Sequence, residues 1–296
     1  MPRTSNALPC ELALWVRARF GPLHVVADVS WPRADSRVWH VKTSTQAVYV
    51  KLSPDIADHA RERAGLAFAA QALDPHQAPR VLAADESLLA LATSPVPGSI
   101  VRGLRLSAGE EQRVYARAGA LVRRWHERSP EPTSVDRARI STSIAEQAGE
   151  ADQILALITE ATTAAQRALV RDAALELSRC APATPVVYRH GDYATRNWLW
   201  DPRRGLGVID FAKAAPGPLV EEFVWLHGAV WLQRPDLRAA FFDGYGRELS
   251  QAEERALQLL TVRLAASYLA TGLTQGDAAL VERGRHGLDR LVRASR

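Results

Sequence analysis

Residues 190–197 read HGDYATRN, and thirteen positions after Asn197 comes IDF, with Asp210 at its centre. Asp192 precedes Asn197 by five positions. An amide oxygen and a carboxylate are hard oxygen donors of the kind Mg2+ prefers. A separate carboxylate beside a metal suits a base that accepts a hydroxyl proton. Phosphoryl transfer divides its labour this way: metal ions neutralise the phosphates, and an aspartate positions the attacking hydroxyl. Asn197 and Asp210 are therefore candidate metal ligands, and Asp192 is the candidate base. His190 fits a loop anchor better than a base.

The elements that must position these residues are legible in outline. NWLWD reads as a strand, PRRG as a turn and LGVIDF as the returning strand, which brings Asn197 and Asp210 to one end of a hairpin. Upstream, a helix is expected from Pro9 to before Gly21, with Leu12, Trp15, Val16 and Phe20 on one face. Three strand-like stretches follow, 24–31, 36–43 and 46–53, in the manner of an antiparallel meander. A helix over 56–73 comes next, and then two short strands, RVLAAD and SLLALAT. SPVPG (94–98) breaks the pattern and marks a lobe boundary.

Beyond that boundary the chain is mostly helical. Capping patterns stand at Ser107/Glu110 and Ser250/Glu253, amphipathic helix is expected over 140–179, and a last helix from Asp277. The expected fold is α+β in two lobes. Residues 1–94 form a small antiparallel sheet lobe with one main helix, and residues 95–296 form a larger helical lobe carrying the hairpin. A cleft between two lobes is where a ligand is expected.

HGD…N followed by IDF closely resembles the aminoglycoside phosphotransferase family of antibiotic kinases, which shares the protein-kinase-like fold. The resemblance extends over most of the chain and implies an ATP- and Mg2+-dependent transfer to a small-molecule hydroxyl. It assigns the nucleotide phosphates to a strand lysine, here Lys51 in VYVKL, and the lysine's partner to Glu62 on the following helix. Asp55 and Asp58 fit helix capping instead. The connector at about 93–97 resembles the hinge that holds adenine, with the N–H groups of Ser94 and Val96 as donors, because Pro95 has none.

Three departures are visible. The loop WPRADSR has no glycine, so Ser36 or nearby N–H groups would meet the phosphates. Ala212 stands where a protein kinase has the glycine of its D-F-G. Glu222-Phe223 stands where the family has Asp-Leu, and either braces the catalytic loop or merely opens a helix. The acceptor implied is an antibiotic, an aminoglycoside or another cationic type such as a viomycin or capreomycin peptide, with Asp236, Asp243 and Glu248 as candidate acids. A metabolic kinase of choline, a sugar or an amino-alcohol is the same-fold alternative, and a nucleotide-binding pseudokinase is the non-catalytic one.

Composition narrows the rest. Of 37 basic residues only Lys42, Lys51 and Lys213 are lysine, which singles out Lys51 for attention because Lys and Arg differ at phosphate sites. The net charge of +4 and pI near 9.3 come without a dense basic run, so nucleic acid is not an expected partner. No apolar run and no signal-type h-region points to a membrane or to export. Cys10 and Cys180 fit buried thiols of a cytoplasmic protein, monomeric or homodimeric. Trp198, Trp200, Trp225 and Trp231 fit core better than a substrate platform. GLG (205–207) and GYG (244–246) fit turns.

Overall fold

Alternation along strands builds the first layer. Trp39 and Val41, Val48 and Val50, and Ala90 and Ala92 are all fully buried on one face. In the computed structural model, which describes residues 7–30, 37–180 and 184–294, the chain runs α1 (Cys10–Phe20), β1 (Leu23–Asp28), β2 (Arg37–Thr43), β3 (Ala47–Leu52), α2 (Ile56–Ala72), β4 (Val81–Asp85), β5 (Ala90–Thr93), β6 (Ser99–Ile100), α3 (Ala108–Glu127), α4 (Ser134–Gly149), α5 (Ala151–Ile158), α6 (Ala164–Cys180), β7 (Val186–Arg189), β8 (Trp198–Asp201), β9 (Gly205–Val208), β10 (Ala215–Pro218), α7 (Val224–Leu226), α8 (Pro235–Tyr245), α9 (Gln251–Gln275) and α10 (Ala278–Ala294). It is a mixed α+β chain with an N-terminal antiparallel sheet and a mostly helical larger part.

The first sheet has the order β1-β2-β3-β5-β4 and is antiparallel throughout. Leu12, Trp15, Val16 and Phe20 of α1 pack onto its apolar face. The opposite face carries His40, stacked on Tyr49 at 4.9 Å, and two residues along β3 from Tyr49 it carries Lys51. A one-residue slip of β3 would put Lys51 in the core, so the apolar alternation fixes where its ammonium emerges. Asp55 caps α2 by accepting from the Asp58 N–H at 2.8 Å.

By contacts the chain divides into two compact units: Met1–Leu104 with Thr195–Ala215, and Arg105–Ala194 with Pro216–Arg296. The sequence boundary at 94/95 differs from this division. The cause is β6, which pairs with β8 and makes the connector the third strand of the hairpin's sheet, in the order β6-β8-β9. The first unit therefore takes in both connector and hairpin.

In the second unit, α3 lies against α8. Added Cβ atoms at Gly119 and Gly244 would come within 1.9 and 1.8 Å of carbonyl oxygens on the facing helix, so only glycine permits this approach. Gly244 is thus inside a helix rather than in a turn, and Gly246 (φ +79°) ends that helix. Helix α4 begins at Ser134, earlier than the sequence suggests, because Thr133 and Asp136 form a complete capping box. Helix α9 is long and apolar enough to cross a membrane, with a mean hydropathy of 1.2, and 61% of that window is buried. It is the central helix of its unit.

Gly205–Gly207 lie in strand β9 rather than in a turn, and the expectation of a buried Cys10 also fails. Cys10 is exposed. It opens α1 two residues before Leu12, about 200° around the helix from that residue. Trp198, Trp200 and Trp231 are buried, whereas Trp225 is half-buried.

Candidate active site

The hairpin places the first pair of candidate residues. Trp198 faces Val208, and the Ile209 N–H donates to the Asn197 carbonyl at 3.0 Å. Asn197 and Asp210 therefore sit at the same open end. Asn197 is 1% exposed. Asp210 has φ +70°, a left-handed conformation that costs a non-glycine residue about 1 kcal/mol or more and that clusters at functional sites.

Three charges converge in this unit. The Lys51 ammonium lies 2.9 Å from both carboxylate oxygens of Glu62 and 3.0 Å from Asp210 Oδ1. Burial works to lower the Lys51 pKa, but the fields of Asp210 and Glu62 and their hydrogen bonds raise it, so it stays charged. Burial and the Asp210 charge push Glu62 up against the pull of Lys51. Two carboxylates flank one ammonium, leaving a net charge of −1.

Asn197 and Asp210 supply hard oxygens at one hairpin end, and a charge deficit beside them fits a divalent cation. Among the described residues no cluster of three His, Cys, Asp or Glu side chains forms a closed metal cage. Mg2+ held by one or two protein ligands plus substrate phosphates needs none.

Helix α2 is held to the Asp210 segment through Gly65. A Cβ there would lie 2.8 Å from the Ala214 Cβ and 3.0 Å from the Phe211 Cβ and carbonyl oxygen. Gly65→Val is expected to push α2 outward and separate Glu62 from Lys51. Nucleotide titrations should then show affinity weakened by about tenfold, with helix content by circular dichroism unchanged.

The connector is less open than the sequence suggests. The Ser94 N–H donates to the Arg80 carbonyl and its Oγ accepts from the Arg80 N–H, both at 2.9 Å. The Ser94 donor is spent on this contact, so of the two N–H groups the sequence nominates for a hinge it is not the open one. Ser36 lies outside the described residues.

Asp192 belongs to the second unit and is half-buried. Its N–H donates to His190 Nδ1 at 3.2 Å, so His190 anchors the loop from within. The Tyr193 hydroxyl donates to the Ala118 carbonyl on α3 at 2.8 Å. Glu222 is 2% exposed and accepts the N–H groups of His190 at 2.6 Å and Gly191 at 3.0 Å. It braces the loop, which decides between the two readings of that residue. His126 on α3 places Nε2 3.5 Å from the same carboxylate, and its Nδ1 is 3.0 Å from the Tyr245 hydroxyl.

Sequence reasoning missed His126 and Tyr245. The available signal was LVRRWH, in which His126 falls on the stripe of Leu121, Val122 and Trp125.

Burial works to raise the Glu222 pKa, but the neighbouring His126, His190 and Arg189 hold it below its ordinary 4.5. Its contribution to stability is full above 4.5 and fades as pH falls through the lower folded value. Glu222→Ala leaves one buried and one half-buried N–H group unmet and is expected to cost about 3 kcal/mol in denaturant unfolding of the helical unit. Glu222→Gln keeps an acceptor and should cost less, while losing the acid-side pH dependence.

The chain belongs to the phosphotransferase enzyme family, whose model matches residues 31–260. Its reaction class is phosphoryl transfer to a hydroxyl group. No curated protein matches the sequence. Solved structures share its fold at low identity. The streptomycin-ATP-APH(2")-IIa ternary complex aligns at 15% identity and TM-score 0.68, covering 95% of this chain and 96% of that one. The macrolide 2'-phosphotransferase MphH from Brachybacterium faecium aligns at 20% and 0.62, covering 94% and 97%. Spectinomycin phosphotransferase APH(9)-Ia, in complex with ADP and spectinomycin, aligns at 14% and 0.62, covering 98% of each.

Proposed function

We propose that the protein transfers the γ-phosphoryl group of ATP to a hydroxyl of a small-molecule antibiotic. The observation that carries this reading is the Lys51 ammonium held at 2.9 Å by Glu62 and at 3.0 Å by Asp210. A strand lysine paired with a helix glutamate, next to a metal-binding aspartate, is the arrangement that phosphoryl transfer by this fold requires.

In this reading Lys51 holds the α/β-phosphates and Glu62 keeps its ammonium in place. The Val96 N–H meets adenine. Asn197 and Asp210 hold Mg2+, which when bound neutralises charge on the transferring phosphates. Asp192 orients the acceptor hydroxyl and takes its proton. Most of the rate then comes from positioning and electrostatic stabilisation. Retention of the base and both metal ligands speaks against a pseudokinase.

An antibiotic acceptor draws its support from the streptomycin and spectinomycin complexes among the structures of like fold. A polycationic acceptor draws less from the acids that the sequence nominates. Asp236 is held by Arg234 at 2.8 Å and its pKa is pushed down to about 2 by that hydrogen bond, while Glu248 lies 3.3 Å from Arg238. The test is ADP release from ATP and Mg2+ with a panel of hydroxyl-bearing antibiotics, alongside choline and sugars. Release stimulated by an antibiotic supports the reading; stimulation only by choline or a sugar replaces it with the metabolic kinase.

A further inference from the structure

The helical unit contains a pocket of about 180 Å3 between α9, α10 and a single π-helical turn at His227–Trp231. Single π-turns inserted among α-helices recur at functional sites. Trp225 and Tyr268 give the pocket two half-buried aromatic walls, and Thr261 gives it a polar floor. Arg283, His286 and Arg290 also line it among small and apolar residues; no acidic residue lines it, although Glu282 lies 4.0 Å from His286 Nδ1.

Both arginines are placed rather than loose. The Arg290 Nη1 donates to the Gly228 carbonyl of the π-turn at 3.2 Å, and the Arg283 guanidinium lies 5.4 Å from the centroid of the Tyr268 ring. Neither forms an ion pair with a carboxylate among the described residues. Elsewhere in this unit arginines are spent on acids: Arg234 on Glu111 and Asp236, Arg247 on Glu253, Arg255 on Glu176, and Arg263 on Glu150. The pocket thus concentrates uncompensated positive charge beside aromatic surface. In sequence, Trp225 follows Glu222, the brace of the catalytic loop, by three residues.

We propose that this pocket receives the non-reacting end of the acceptor, and that this end is compact, aromatic and anionic, bearing a carboxylate or phosphate rather than an ammonium. A ring would lie against Trp225 and Tyr268, and the anion would meet Arg283 and Arg290, whose planar forks match such oxygens. This rests on the small-molecule kinase reading and deepens it: acceptors with an acidic aromatic end are favoured over polycations.

The test is calorimetric binding to the full chain of two matched probes, para-hydroxymethylbenzoate and para-hydroxymethylbenzylamine. The benzoate is expected to bind at least about tenfold tighter. The double variant Arg283→Glu/Arg290→Glu should reverse that preference. If the variant fails to fold, ionic strength decides on the unaltered protein, because salt screens attraction between opposite charges. Benzoate binding that weakens with salt supports the pocket. Equal or tighter binding of the amine, benzoate binding indifferent to both salt and charge reversal, or binding of neither probe overturns it. Nucleotide binding with Mg2+, measured on the same preparation, reports separately on the kinase reading. Loss of nucleotide binding would sink that reading and leave the probe preference standing on its own.

Discussion

Asp192→Asn is expected to lower kcat by about 10^3-fold, the middle of the range for a lost general base, with nucleotide affinity changed by less than about threefold. Asparagine keeps the size of the side chain and most of its hydrogen-bonding capacity, but it cannot take a proton. The loop itself should stay in place. Its anchors include the His190 ring, the Glu222 carboxylate and the Tyr193 hydroxyl. Lys51, Glu62 and Asp210, proposed to face the nucleotide, belong to the other unit. Single-turnover rates and nucleotide titrations on one preparation separate the two effects. Turnover near that of the unaltered protein would remove Asp192 from its role.

Asp210→Gly is expected to lower kcat/KM by a similar factor of about 10^3, without loss of stability. Asp210 holds φ +70°, a conformation glycine adopts freely. The substitution therefore removes backbone strain along with the carboxylate. Lys51 would keep Glu62 as its remaining partner in this group, and the trio would change from a net charge of −1 to neutral. The apparent Mg2+ requirement should rise. A melting temperature that holds or increases while activity collapses identifies strain kept for function, the usual trade between stability and activity. A parallel loss of both would make Asp210 a structural residue.

Much of this was readable because local rules reach it. Strand alternation buries Val48 and Val50 and so turns Lys51 to the other face, where Glu62 is the acidic residue well inside the next helix. A short hairpin fixes the pairing of Asn197 with Ile209 by its turn alone. What was not readable depends on distant packing. The pairing of β6 with β8, across nearly a hundred residues, gives the connector and hairpin to one unit. The Ser94 N–H reads as a hinge donor until the Arg80 carbonyl is seen to take it. His126 reads as one more polar residue in an arginine-rich helix until α3 packs it beside Glu222 and Tyr245. The exposure of Cys10 was within reach, since the helical stripe already excluded it.

In the proposed reaction this chain moves a phosphoryl group from ATP onto a small-molecule hydroxyl through Asp192 and the Lys51–Glu62–Asp210 group. The most direct measurement is mass spectrometry of pooled hydroxyl-bearing antibiotics and aromatic acids after incubation with ATP, Mg2+ and the protein. At least one acceptor is expected to become heavier by a single phosphoryl group, with no adduct when Mg2+ is omitted and none with Asp192→Asn. No adduct across the pool, or an adduct that survives Asp192→Asn undiminished, would contradict it.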